Sequence, residues 1–177
     1  MPPAPTDKDQ ADAIMKTTAD ADIPKLATGD KEYILQYASP EYAAKVWDAV
    51  KGKTVQFPGA LVIASTPTSV QVAVSDGAVQ DKKADYTFNI KPLEAPAEPK
   101  AKTPAALAAY KKEKAAYDKA AADVTAATAV GSKVTLNGTY ESYTPNPIMI
   151  IMSDGEVVLP KAAPAAKPSA AKRPAHK

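Results

Sequence analysis

The stretch that decides the fold is Lys133-Val-Thr-Leu-Asn-Gly-Thr-Tyr140 together with Ile148-Met-Ile-Ile-Met152. In the first segment apolar or small residues alternate with polar ones, which predicts a strand with one buried and one solvent-facing side. The second segment is apolar at every position and predicts a strand inside a core. The turn-rich residues 142–147 link the two segments, and residues 156–159 either extend the last strand beyond an Asp154-Gly155 turn or pack back along it.

Three upstream segments show the same alternation. The first covers residues 54–64 and is interrupted by Pro58-Gly59, which predicts a bulge or bend in one long strand. The inward positions of the other two are Val70, Val72 and Val74, and Tyr86, Phe88 and Ile90. We predict that Tyr86 and Phe88 lie in the core, because the opposite facing would line the interior with polar groups. Between these two strands, Asp76-Gly77 predicts a turn.

Helical patterns precede and interrupt the strands. Residues 9–18 predict a weak helix, residues 28–37 a better one, and Ser39-Pro40 the capped start of a third that ends at Gly52. Trp47 is predicted to fix this third helix to the strands. An Ala/Lys-rich helix of about residues 104–128 spans on the order of 36 Å, so part of it projects or meets another chain. Its three-four spaced seam is Leu107, Tyr110, Tyr117, Ala121 and Val124.

The order of three strands, a helix and two strands is that of the OB-fold, a five-stranded Greek-key barrel. We therefore predict a mainly β protein with added helices: a spacer and weak helix (1–27), a helical lead-in (28–52), an OB-fold-like barrel (53–159) and a disordered Ala/Pro/Lys tail (160–177). Residues 41–55, 131–140 and 146–155 resemble the bacterial tRNA-anticodon-like OB family, over about residues 40–159. The resemblance implies nucleic-acid binding, although the long Ala/Lys helix and the tail depart from the compact family pattern.

The composition excludes several kinds of site. The 177 residues contain no cysteine and one histidine, His176, so thiolate chemistry, a zinc site and a Ser-His-Asp arrangement are ruled out. We expect no enzyme activity and no cofactor, because the best remaining carboxylates, Asp85, Asp154 and Glu156, fit ordinary exposed strand or turn positions.

The compartment stays open. No apolar run approaches the roughly 18 residues of a membrane span. Residues 1–6 resemble the spacer left after a signal peptide is removed, which would suit a periplasmic or secreted protein. The absence of cysteine fits the cytoplasm equally well.

An OB barrel that binds single strands usually offers aromatic and basic residues on strands two and three and in the one-two and four-five loops. The outward positions predicted here are Ser69, Gln71, Ala73, Asp85, Thr87 and Asn89, none of them aromatic or basic. In the loops, residues 65–68 and 141–147, the candidate contacts are Thr66, Tyr143 and Asn146, and only Tyr143 can stack on a base. This pattern indicates that the barrel lacks the usual nucleic-acid surface.

Two functional hypotheses follow. The leading one is a non-catalytic interaction or assembly module whose long helix packs on a protein partner or a second copy. The alternative is a sequence-tolerant binder of single-stranded nucleic acid that uses one barrel edge and the basic tail, and its affinity would fall steeply with salt. The tail's candidate polyanion contacts are Lys161, Lys167, Lys172, Arg173 and Lys177. The same tail also fits a solubilising tether.

Overall fold

The five predicted strands are present in a computed structural model, which describes residues 1–160. The strands are β1 (Thr54–Thr66), β2 (Ser69–Ala73), β3 (Tyr86–Ile90), β4 (Lys133–Pro145) and β5 (Ile148–Val158). The helices are α1 (Asp7–Thr17), α2 (Thr28–Tyr37), α3 (Pro40–Val50), α4 (Asp76–Asp81) and α5 (Pro104–Ala127), and a short 3-10 helix, Asp20–Lys25, joins α1 to α2.

The strands close into a barrel in the order β1-β2-β3-β5-β4, with β4 pairing back onto β1. Neighbouring described strands are antiparallel except for β3 and β5, which are parallel. With α5 inserted between β3 and β4, this is the predicted OB-fold-like Greek-key arrangement.

The bend predicted in β1 is confirmed. The register between β1 and β4 shifts between Phe57 and Ala60, and Gly59 has a φ of +66°. Glycine adopts this left-handed conformation without the steric cost that a side chain imposes. Because of the bulge, Phe57 and Ala60 both face the core and β1 can pair with β4 along one half and β2 along the other.

An aromatic cluster fills the barrel interior. Tyr86 and Phe88 are both 0% exposed, which confirms their predicted place in the core. The Phe57 ring packs against both, and its centre lies 4.9 Å from that of Tyr86 and 5.6 Å from that of Phe88. The Tyr86 and Tyr140 hydroxyls are 3.3 Å apart, so the two phenols satisfy one another inside the barrel.

The turn predicted at Asp76-Gly77 is wrong, because these residues begin α4. The Ser75 hydroxyl accepts a hydrogen bond from the Ala78 N–H at 3.3 Å and caps this short helix. The residue that caps its C-terminus is Lys82, whose φ of 53° is left-handed. A capping serine before Asp-Gly-Ala-Val had the sequence signature of a helix start.

The long link predicted at residues 142–147 is also wrong. Strand β4 continues to Pro145 and pairs with β5 down to Ile148, so the connection shrinks to Asn146-Pro147. At the other end of β5, Asp154 has a φ of 51° and the strand continues through Gly155 to Val158. The alternative in which residues 156–159 extend the last strand is therefore the one observed as far as Val158.

The N-terminal helices pack as a group against one end of the barrel. Asp12 joins α1 to the start of α3, since its carboxylate accepts hydrogen bonds from the Ser39 N–H at 2.7 Å and the Ser39 hydroxyl at 2.6 Å. Bonds from Lys8 and Ser39 hold the pKa of Asp12 well below its usual range. With these bonds α1 is better anchored than its weak helical pattern suggests. On α3, the Trp47 ring centre lies 4.7 Å from that of Tyr143 on β4.

The close approach of β3 and β5 generates a prediction. An alanine Cβ at Gly155 would lie 2.7 Å from the Asn89 carbonyl oxygen, a backbone atom that cannot rotate away. Gly155→Ala should therefore lower the free energy of unfolding by about 1–3 kcal/mol. The control is Gly77→Ala in α4, where nothing lies within 4 Å of the new Cβ. This change should raise stability by about 0.5–1 kcal/mol. Urea unfolding measures both, and equal stability of the Gly155→Ala variant and the wild type would contradict the prediction.

Candidate functional site

The predicted interaction helix, α5, stands away from the barrel for most of its length. Among the described residues, none of its side chains is buried. Leu107 is 40% exposed, whereas the other seam residues, Tyr110, Tyr117, Ala121 and Val124, are half-buried. Only the last turn reaches the barrel, where Ala127 packs against the core and Thr128 is buried.

The linker before α5 must run back along the helix. Ile90, at the end of β3, lines the same cleft as Val124 and Thr128 at the C-terminal end of α5. The helix is about 36 Å long, so residues 91–103 have to cover that distance to reach its N-terminus. At about 3.1 Å per residue they span roughly 40 Å only if they are fully extended. The linker and α5 together therefore form a hairpin, which we call the arm (residues 91–127).

The exposure of the linker agrees with this path. Within residues 91–100, Pro96 and Pro99 are half-buried and the others are exposed. Their three-residue spacing is the period of a polyproline II helix with one side against a surface. We infer that this side faces α5 and partly covers its tyrosines. The arm carries two exposed leucines, Leu93 in the linker and Leu107 in α5.

An apolar cleft of about 440 Å³ lies at the base of the arm. Its walls include Pro67 and Val70 from the barrel, Val124 from the C-terminal end of the arm, and Val130 from the link to β4. Val130 is also one of the most exposed large apolar residues of the described chain. The cleft and the arm form one continuous surface at this end of the barrel.

The structure does not bring the three predicted loop contacts together. Thr66 lies at the β1–β2 turn, and its hydroxyl donates to the Ser69 carbonyl oxygen at 3.3 Å. Tyr143 and Asn146 lie at the other end of the barrel, where Tyr143 packs on Trp47 and Asn146 accepts a hydrogen bond from Gln36 at 3.2 Å. Since Tyr143 is part of the contact with α3, it is not a free stacking platform.

Two of the residues predicted to face outward are buried instead. Asp85 is 2% exposed and Ala73 is 0% exposed, whereas Gln71 and Asn89 are exposed as predicted. The Asp85 carboxylate turns inward because the N–H groups of Val74 and Ser75 donate to its two oxygens, each at 2.8 Å. The remaining outer face of β2 and β3 is polar and uncharged.

A second acid, Glu32 of α2, lies beside Asp85 and was not predicted to have a role. Glu32 is 6% exposed, and its carboxyl group lies close to the Asp85 carboxylate and the Ser75 hydroxyl. As a carboxylate, Glu32 would leave its Oε1 atom buried without a hydrogen-bond partner among the described residues. As a neutral acid it can instead donate its proton to Asp85. The pair therefore holds one proton where α2 meets the barrel.

The electrostatics support this protonation state. Burial raises the pKa of Glu32 to about 9, with further contributions from the hydrogen bond to Asp85 and from its negative charge. The phenols of Tyr86 and Tyr140 lie close by, and burial also raises the pKa of each. A signal for this site was present in the sequence, because Glu32 lies three residues before the buried Leu35 and so on the same side of α2.

The five predicted polyanion contacts, Lys161, Lys167, Lys172, Arg173 and Lys177, lie outside the described residues, so the tail prediction stays a prediction. Within residues 1–160, no group of three or more His, Cys, Asp or Glu side chains could hold a metal ion. Of the helices in this part of the chain, none is long and apolar enough to cross a membrane. Comparison with protein-family models, curated proteins and solved structures finds no match to this chain.

The acid pair predicts how stability depends on pH. Between pH 4.5, the ordinary pKa of a glutamate, and about 9, the folded protein holds a proton that the unfolded chain releases. The free energy of unfolding should therefore fall as the pH rises through this window, by up to about 1.4 kcal/mol per unit. Glu32→Gln keeps a donor for Asp85 without an ionisable group. The substitution should leave the free energy of unfolding almost unchanged at pH 4.5 and raise it by at least about 2 kcal/mol at pH 8.

Urea unfolding at the two pH values tests this difference. The control is Glu156→Gln, since Glu156 is exposed on β5 and should show no such change between the two conditions. A Glu32→Gln variant that is equally destabilised at both pH values would show that Glu32 is ionised in the folded protein.

Proposed function

We propose that this protein is a non-catalytic assembly module that associates with a second copy of itself through the arm. The observation that carries the proposal is a 24-residue helix without a buried side chain. A solvated helix of this composition gains little from its own sequence, because isolated helices are marginal and most helical stability in proteins comes from packing. A partner surface would supply that packing.

The charges of α5 favour a second copy in antiparallel orientation. Its first half, residues 104–115, carries three lysines and one glutamate, a net charge of +2. The second half, residues 116–127, carries two aspartates and one lysine, a net charge of −1. An antiparallel neighbour places the basic half of one helix against the acidic half of the other, and charge complementarity of this kind fixes orientation more than affinity.

The side chains of α5 suit close helix packing. Alanines occupy many positions along the whole length of the helix, and small residues let two helices approach closely. Leu107 is the one exposed large aliphatic residue within α5 itself. Salt does not screen apolar contacts, so the association should persist at high ionic strength, in contrast with nucleic-acid binding.

A charge-mixing experiment tests whether the α5 helices of two copies contact each other. Lys111→Glu/Lys112→Glu makes the first half acidic, and Asp118→Lys/Asp123→Lys makes the second half basic. Each variant alone should self-associate less than the wild type at low salt, because like charges then face each other. An equimolar mixture of the two should recover the mass of a dimer in light scattering, since each acidic half now meets a basic one.

The Asp118→Lys/Asp123→Lys variant loses two exposed ion pairs, Lys114–Asp118 and Lys119–Asp123, and exposed pairs contribute little to stability. Circular dichroism of each variant controls for loss of the helix. A wild-type protein that is monomeric at every concentration and salt level would overturn the proposal. A mass that increases only when a single-stranded oligonucleotide is added at low salt would favour the nucleic-acid alternative.

The apolar side of the contact gives a separate prediction. Leu107→Gln should weaken self-association at least about tenfold, because burying a leucine in a contact is worth about 1.5–3 kcal/mol. The side chain is already exposed in the single chain, so the free energy of unfolding of the monomer should be unchanged. Sedimentation at several protein concentrations measures the first quantity and urea unfolding the second. An unchanged dissociation constant would place the contact elsewhere.

A further inference from the structure

A pocket of about 360 Å³ lies between α2 and the start of α4, at the barrel end away from the arm. Three carboxyl groups line it, those of Asp30, Glu32 and Asp76. Of the described residues around this pocket, none is a lysine or an arginine. The pocket is therefore an acidic surface with no internal cation to balance it, which favours a positively charged ligand.

The three carboxyl groups differ in their surroundings. Asp30 and Asp76 are exposed at the rim, whereas Glu32 is buried. The buried Oε1 atom of Glu32 has no hydrogen-bond partner among the described residues when the group is ionised. A buried charged oxygen needs a donor, and here the donor is either the proton of Glu32 itself or a group that enters from the pocket.

The chemistry of the site favours an ammonium group over a metal ion. The described carboxylates do not converge into a group that could hold a metal. A primary ammonium is a compact cation with three donors, so one contact with a carboxylate leaves donors free for others. The pocket also has an apolar wall, since Ile148 lines it, and this suits an alkyl chain.

We propose that this pocket binds a primary alkylammonium group, which donates to Glu32 in place of the Glu32 proton. A second ammonium on the same chain would lie near Asp30 and Asp76 at the rim. The bound group is the end of a free diamine or a lysine side chain of a peptide, which share this chemistry. The site is independent of the arm and of self-association.

The proton of Glu32 makes ligand binding at this pocket depend on pH. Glu32 is neutral while the pocket is empty, so binding an ammonium at neutral pH releases about one proton and affinity rises by up to tenfold per pH unit below about 9. The groups that face Glu32 from the barrel are Asp85, Tyr86 and Tyr140. Lys31 is its neighbour in α2 but lines a different pocket, so it supplies no cation here.

Calorimetric titration of the full chain with 1,4-diaminobutane tests the proposal. We expect binding that is at least about tenfold tighter at pH 8.0 than at pH 6.5. Titrations at pH 7.0 in two buffers of different ionisation enthalpy should show the release of about one proton. A blocked lysine peptide and its Nε-acetylated form distinguish the two sources: binding of the diamine but not the peptide indicates a free amine, and tighter binding of the unmodified peptide indicates a lysine side chain.

Single substitutions test what each acidic residue of the pocket contributes to binding. Glu32→Gln should abolish proton release and the pH dependence, and weaken binding at pH 8.0. Asp30→Asn should weaken the binding of the diamine but leave the binding of propylamine unchanged. Asp81→Asn removes an exposed acid of α4 that does not line the pocket and should bind as the wild type does. No binding at millimolar diamine, or binding by the wild type without proton release, would overturn the proposal, and neither result depends on a variant being folded.

Discussion

The parallel pairing of β3 with β5 is the constraint on which the rest of the architecture depends. It closes the barrel, and it requires that β4 run antiparallel to both β5 and β1. Strand β4 consequently starts at the barrel end where β3 finishes. Residues 91–132 therefore leave and return at the same end, and a segment of this length with a 24-residue helix can only form a projecting hairpin. The arm is a consequence of barrel topology combined with an excess of connecting chain.

The same pairing sets the tightest packing in the molecule. Gly155 of β5 lies beneath the Asn89 carbonyl, and Gly138 of β4 faces the Phe88 ring, where a Cβ would come within 2.8 Å of a ring carbon. Gly138 leaves room for the Phe88 ring, and Gly155 lets the backbone of β3 approach closely. Because aromatic rings fill the interior, binding has to occur at the ends or on the outside.

Much of this fold follows from the sequence, and the failures have physical reasons. The alternation of apolar residues predicted four strands, a continuous apolar run predicted the fifth, and Pro58-Gly59 predicted the bulge, because these signals are local. The β4–β5 hairpin was underestimated because residues 141–145 are polar yet are held in the strand by pairing with β5. Asp85 was assigned outward by alternation, but two backbone N–H donors outside β3 turn it inward. Such partners become visible only when the chain is folded.

Helix α5 was predictable from its local sequence, whereas the Glu32–Asp85 pair depends on a contact across more than fifty residues. The position of the Glu32–Asp85 pair nevertheless bears on where the protein binds a ligand. A buried acid pair is less stabilising than apolar residues of the same volume, and it lowers stability at neutral pH. Nothing in the barrel requires it, since Ile34 and Leu35 already bury the apolar side of α2. Departures from local packing rules without a gain in stability are expected at functional sites. On this reasoning we propose the end of the barrel beneath α2 as the place where a small ligand acts, separate from the arm, which we propose as the contact with a second chain.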